Sequence, residues 1–117
     1  MDETGMGIKI ITGGVTAARG FKAASTAAGI KYKDRQDMAM IYSQEPCRSA
    51  GTFTTNIVKA APVKWDKNQV TSGAPARAVV INAGIANACT GEEGMGYCGQ
   101  TAEAAALALG ISAESVL

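Results

Sequence analysis

The chain has 117 residues, with 11 Lys or Arg against 10 Asp or Glu, and its formal net charge of +1 includes no long run of one sign. That balance argues against nucleic acid or an anionic membrane surface as the main partner. Hydrophobic residues make up 47% and charged ones 18%, with 14 Gly and 5% aromatics, the composition of a soluble globular α/β protein with a core of Ala, Val, Ile and Leu.

The length allows one domain at most, residues 1–117, and fits a part of a larger unit. The amino terminus, Met1 to Gly5, is acidic and has no apolar h-region, and no apolar run approaches membrane-spanning length. Neither a signal peptide nor a membrane anchor is expected. Ile8 to Ile11 is a short apolar run ended by Thr12-Gly13-Gly14, which predicts a first strand and a Gly-Gly turn. Val15 to Gly20 reads as loop. Phe21 to Ala28 fits a strand or the start of a helix, and Gly29 stops it early enough to favour the strand. The charged segment Lys31 to Asp37 reads as a solvated turn, with a binding role for Lys31, Lys33 and Arg35 as the alternative.

Met38 to Tyr42 predicts another strand, bounded by Asp37 and by Ser43-Gln44-Glu45-Pro46. Cys47 to Ala50 is a connector or one helical turn. Gly51 to Asn56 is rich in β-branched Thr and alternates around Phe53, which predicts a strand ending in an Asn turn. Pro62 suits a first helical turn, with Val63 to Val70 following as a short helix, and Ser72-Gly73-Ala74-Pro75 breaks it. Ala78-Val79-Val80-Ile81 is apolar throughout and predicts a strand buried on both faces. Asn82 closes it, Gly84 permits a tight turn, and a loop runs to Gly91; strand, polar loop and helix together make the kind of junction where open α/β sheets place chemistry.

Thr90 as N-cap and Glu93 three residues later form a capping box for a helix. Met95, Cys98, Ala102, Ala105, Ala106 and Leu109 recur on one face, with Gln100 and Glu103 opposite and Gly110 as the C-terminal cap. Ser112 can cap one further turn through Glu114. Val116-Leu117 resembles the opening of another buried strand, so the polypeptide is expected to be a segment of something longer.

The sequence contains no histidine, which excludes within it a Ser-His or Cys-His nucleophile pair and a His-rich metal site. Its three cysteines, Cys47, Cys89 and Cys98, are odd in number and lack Cys-x-x-Cys spacing, so neither zinc nor a disulfide framework is supported and a reducing cytoplasm is the simplest location. Gly94, Gly96 and Gly99 match the letters of a dinucleotide fingerprint, with Glu114 twenty residues beyond Gly94. The fingerprint must follow its strand directly and open the helix, whereas these glycines lie inside one; close packing of helix against sheet is the plainer reading. No P-loop motif is present. Cys89 sits before a helix, where the dipole lowers a thiol pKa, but a small buried residue is the plainer reading. Trp65 and Phe53 read as core.

Taken in order, Gly13 to Phe21, Asp37 to Ile41, Gly51 to Asn56 with Val58 to Val63, and Asn82 to Gly91 (Asn-Ala-Gly-Ile-Ala-Asn-Ala-Cys-Thr-Gly) resemble the amino-terminal part of the α chain of the ornithine acetyltransferase family of arginine biosynthesis. The family has Ser and Asn where this chain has Ala83 and Ile85. The resemblance implies a layered sandwich of β-sheets between helices, present here only in part. It implies a precursor that cuts itself into α and β chains in an α2β2 assembly, with a new amino-terminal threonine on β that acts as nucleophile and supplies its own base. The acetyl group then passes from N-acetylornithine to glutamate through an acetyl-threonine, and bifunctional members also accept acetyl-CoA. The nucleophilic threonine and the oxyanion-stabilising Thr-Gly are expected beyond Leu117, so no catalytic residue is assigned within the chain and residues 1–117 alone are expected to be inactive. Thr90-Gly91 belongs to a different block and does not take the oxyanion role. Asn82 and Asn87 are the candidates for shaping the substrate site from behind; no cofactor or metal is expected. Two alternatives stay open: a thiol-dependent acyl enzyme using Cys89, and a non-catalytic α/β assembly module.

Overall fold

Short runs of β-branched and small residues, punctuated by Gly and Pro, produce strands that must borrow neighbours to fill their ladders. The computed structural model describes residue 5 and residues 7–85 and 91–117. Strands β1 (Phe21–Thr26), β2 (Met38–Cys47) and β3 (Ala76–Asn82) form one sheet in the order β1-β2-β3, with helix α1 (Ala61–Ser72) between β2 and β3 and helix α2 (Gly91–Leu109) after β3. Both pairings are antiparallel, with Ala24 opposite Met40 and Met40 opposite Val80. On its other edge β3 takes a parallel partner: Val116 bridges Ala78, the Leu117 N–H donates to the Ala78 carbonyl at 2.9 Å, and the Val80 N–H donates to the Leu117 carbonyl at 2.8 Å. The strand opening expected at Val116-Leu117 is therefore present. Parallel neighbours need a long crossover, and α2 supplies it.

The helix ends follow the residues that flank them. Pro62 occupies the first turn of α1, and Gly73 ends it at φ +77°, a left-handed position that glycine adopts without a Cβ penalty. At the end of α2, Gly110 has φ +69° and the Ile111 N–H donates to the Ala106 carbonyl at 3.0 Å, the longer hydrogen bond of a Schellman motif. The Ser112 side chain then accepts from the Glu114 N–H at 3.3 Å and opens a single 3₁₀ turn, Ala113–Ser115. Thr90, the expected N-cap of α2, lies outside the described residues.

The core is a cluster of Ala78, Ala102, Ala105, Ala106 and Val116, with Met40, Trp65, Val80, Leu109 and Ile111 packed around it. The predicted apolar face of α2 is the face that is buried, and Gln100 and Glu103 are exposed. Val116 is 1% exposed, and the Trp65 Nε1–H donates to its carbonyl at 3.0 Å. That bond ties α1 to the segment beside β3, and the half-buried Trp65 packs against the core, whereas Phe53, also expected in the core, is not part of it.

Several expectations are corrected. β3 is not buried on both faces: Met40, Ala78 and Val80 meet the helices, whereas alternation turns Ile41, Val79 and Ile81 the other way, and Ile81 is 46% exposed. Ile8 to Ile11 forms no strand; Ile10 and Ile11 are 68% and 61% exposed. β-propensity alone gives no strand without a partner ladder, and β1 pairs only with β2 among the described residues. Gly51 to Asn56 is also irregular, because local side chains take its backbone groups. Thr54 Oγ1 accepts from the Asn56 N–H at 3.1 Å and Asn56 Oδ1 from the Val58 N–H at 3.2 Å, bonds that compete with a ladder.

β2 runs five residues past the predicted end at Tyr42, through a bulge between Tyr42 and Cys47. Arg77, opposite the bulge, satisfies it: its guanidinium donates to the Ser43 carbonyl at 3.3 Å, the Gln44 carbonyl at 2.5 Å and the Tyr42 hydroxyl at 2.9 Å. Pro46 has no N–H and is tolerated at such an irregularity. Cys47 accordingly ends the strand, and the connector after it is coil with no helical turn.

Candidate functional site

Asn82 ends β3 where the sheet's helix-facing side opens into a cavity of about 370 Å³. Met38, Val80, Asn82 and Leu117 form its sheet side. Trp65 and Asp66 come from α1, Tyr97, Cys98 and Thr101 from α2, and Ile30 from the turn after β1. The lining is mainly apolar with a few converging polar groups, the composition of a small-molecule pocket.

Those polar groups have defined states. Burial raises the Asp66 carboxyl above its ordinary range. Burial likewise raises the Cys98 thiol, and the nearby Asp66 charge adds to the effect, so Cys98 stays protonated at neutral pH and is a poor nucleophile. The Tyr97 hydroxyl donates to Glu93 at 2.7 Å, and that hydrogen bond, with the negative charge behind it, raises the phenol's pKa. Among the described residues no group of three His, Cys, Asp or Glu side chains is placed to hold a metal ion. The cavity can therefore bind and orient a ligand, but its described walls carry no activated nucleophile.

Beside the cavity, Asp37 joins the end of β1, the start of β2 and the turn after β3. Its carboxylate accepts from the Ile30 N–H at 2.8 Å and the Ala28 N–H at 2.6 Å, and these bonds, Ile30 foremost, hold its pKa below the ordinary range. Its N–H donates to the Thr26 carbonyl at 3.1 Å, and its carbonyl accepts from the Ala83 N–H at 2.9 Å. Gly84 follows at φ +97°, and a side chain there would come within 3.3 Å of the Lys31 Cβ. Both conformation and space therefore require glycine at the turn after Asn82. The expected solvated turn is found for residues 31 to 36, which are exposed, while Asp37 is buried.

Of the predicted site residues, Asn82 lines the cavity from an exposed position; Leu117, beyond which the catalytic motif is expected, also lines it. Asn87 and Cys89 lie outside the described residues. Gly94, Gly96 and Gly99 fall inside α2, as the failed fingerprint requires. Close packing against the sheet does not explain them all: Gly96 has open space beside it, and a Cβ at Gly99 would make an ordinary 3.8 Å contact with the Trp65 ring of α1. Asp66, Tyr97 and Thr101 escaped sequence reasoning because nothing in their spacing shows that α1 and α2 face one another.

Comparison with known proteins accounts for the four ordered sequence blocks. A family model described as the ArgJ family matches residues 22–117. The chain is 49% identical over 107 residues to the arginine biosynthesis bifunctional protein ArgJ of Gloeobacter violaceus, covering 92% of this chain and 26% of that protein. It is 52% identical over 97 residues to the ArgJ of Mycolicibacterium paratuberculosis, covering 82% and 24%. The chain thus spans about a quarter of the length of the curated relatives it matches. Among solved structures, the ornithine acetyltransferase of Mycobacterium tuberculosis complexed with ornithine superposes with a TM-score of 0.82 at 47% identity, over 88% of this chain and 56% of that one. The ArgJ protein of Bacillus halodurans superposes with the same TM-score at 36% identity, over 89% and 54%. The family model spans well over half of the chain, the solved structures superpose on nearly nine-tenths of it, and the chain belongs to the ArgJ family.

Proposed function

We propose that this chain is the amino-terminal segment of the α subunit of an ornithine acetyltransferase, which moves an acetyl group from N-acetylornithine to glutamate in arginine biosynthesis. The whole protein forms by self-cleavage into α and β chains, assembles as α2β2 in the cytoplasm, and works through an acetyl-threonine at the new amino terminus of β. Acetyl-CoA serves as a second acetyl donor. The single observation that carries this reading is the register of Val116 and Leu117. They run parallel to β3 and point past Val80, so a strand continued from Leu117 reaches the turn at Asn82 to Gly84 within a few residues. The oxyanion-stabilising Thr-Gly lies on that continuation, beside Asn82 at the end of β3, and Asn82 and Asn87 shape the site from behind.

The test is mass spectrometry of the complete protein trapped with N-acetylornithine. One acetylated threonine outside residues 1–117 is expected, together with no acetyl transfer by residues 1–117 alone. An acetyl group on Cys89 would replace this mechanism with the thiol one, and activity of residues 1–117 by themselves would overturn it.

A further inference from the structure

We propose that the turn from Lys31 to Arg35 is a binding site for a phosphate-bearing small molecule, with Lys31 and Arg35 as its direct contacts and Lys33 adding positive charge. The Lys31 Nζ lies 5.3 Å from the centroid of the Tyr32 ring, and the Arg35 Cζ lies 4.8 Å from the same centroid. One aromatic ring thus gathers two like charges. Among the described residues neither cation has a carboxylate partner. Asp37, the acidic residue that follows the turn, has its carboxylate occupied by the N–H groups of Ala28 and Ile30.

The turn is also held in shape before any ligand arrives. Asp37 clamps the residues that lead into it through the Ala28 and Ile30 N–H groups, Asp34 takes a left-handed conformation at φ +58°, and the Lys31 Cβ lies 3.3 Å from where a side chain on Gly84 would begin. A preorganised site loses less freedom on binding than a mobile one. Ile30, adjacent to Lys31, lines the cavity, so a ligand anchored at the turn has the cavity as its neighbour. A guanidinium fork and an ammonium gathered at one ring suit several anionic oxygens at once, which favours phosphate over a single carboxylate. A single turn in a chain of net charge +1 is too small a footprint for nucleic acid.

Isothermal titration calorimetry on the complete natural polypeptide, with inorganic pyrophosphate and ADP as separate titrants, tests this proposal. Pyrophosphate should bind and should weaken roughly tenfold or more in the Lys31→Gln/Arg35→Gln variant, since removing one charge-assisted hydrogen bond has an effect of that order. Both residues are exposed, and circular dichroism verifies that the variant keeps its fold. Tighter binding of ADP identifies a nucleotide as the source of the phosphates, and equal binding identifies the bare anion. No heat from either titrant, an unchanged Kd in the double variant, or an equal loss in Lys67→Gln on α1 overturns the site. The readout is binding and not acetyl transfer, so its failure leaves the proposed activity untouched, and the reverse also holds.

Discussion

Replacing Trp65 by Phe removes the indole N–H while keeping an aromatic ring between α1 and α2. The lost hydrogen bond is 3.0 Å long and ends on the carbonyl of Val116, a residue only 1% exposed. A buried carbonyl left unpaired costs about 1–3 kcal/mol. The smaller ring gives up about 1 kcal/mol more, at roughly 0.8 kcal/mol per buried methylene and with Trp65 only half-buried. The sum is about 2–4 kcal/mol, and with a urea dependence of about 1–3 kcal/mol per molar the midpoint should fall by about 1 M or more. Urea denaturation followed by far-UV circular dichroism measures it; Trp65 is the single tryptophan in the sequence, so fluorescence would vanish with the substitution. A loss below about 0.5 kcal/mol, with an unchanged urea dependence, would refute the claim that this bond holds α1 to the strand segment beside β3.

The remaining predictions concern charge and backbone conformation. Asp37→Asn removes a carboxylate whose pKa is lowered by the Ile30 and Ala28 N–H groups. A group with a lowered folded pKa contributes stability above its unfolded value, about 3.9, and loses it as pH falls through the folded value. The variant should therefore melt below the parent at neutral pH, and the gap should close in acid; a gap constant from about pH 7 to about pH 3 counts against the clamp. Gly99→Ala should stabilise by about 0.5–1 kcal/mol, because helix propensity favours Ala and the new Cβ meets Trp65 at an ordinary 3.8 Å. Gly110→Ala should cost about 1 kcal/mol or more, since φ is +69° there. Urea midpoints that move in the same direction for both variants would contradict this.

What is legible in the sequence is what depends on local chemistry. The buried face of α2 follows from the spacing of Ala102, Ala105 and Ala106, and its end follows from Gly110. Pro62 and Gly73 likewise bracket α1, and Val116 is readable as the start of a strand. Elements that need a distant partner are not legible. Ile8 to Ile11 and Gly51 to Asn56 have the residue types of strands, yet the first forms no ladder and the second spends its backbone groups on Thr54 and Asn56. The extension of β2 past Tyr42 depends on Arg77, more than thirty residues away. The cavity is hidden for the same reason, since Asp66 and Cys98 become neighbours only when α1 meets α2. Asn82, at the cavity's edge, can be picked out because a strand end carrying a turn residue is itself a local signal.

The core that joins α2 to the sheet is made almost wholly of alanine: Ala78, Ala102, Ala105 and Ala106 surround Val116. Truncation, the usual way to damage a protein interior, has little to remove from such a core. Enlargement is the danger away from the cavity that Ala102 and Val116 line, because extra methylenes in a filled interior cost about 1–3 kcal/mol. Apart from silent changes and the change to Gly, every single-base change in an alanine codon gives a residue that is larger, polar or charged. Mutational tolerance in this layer is therefore one-sided, and natural variation there should be confined to exchanges among Ala, Gly and Ser.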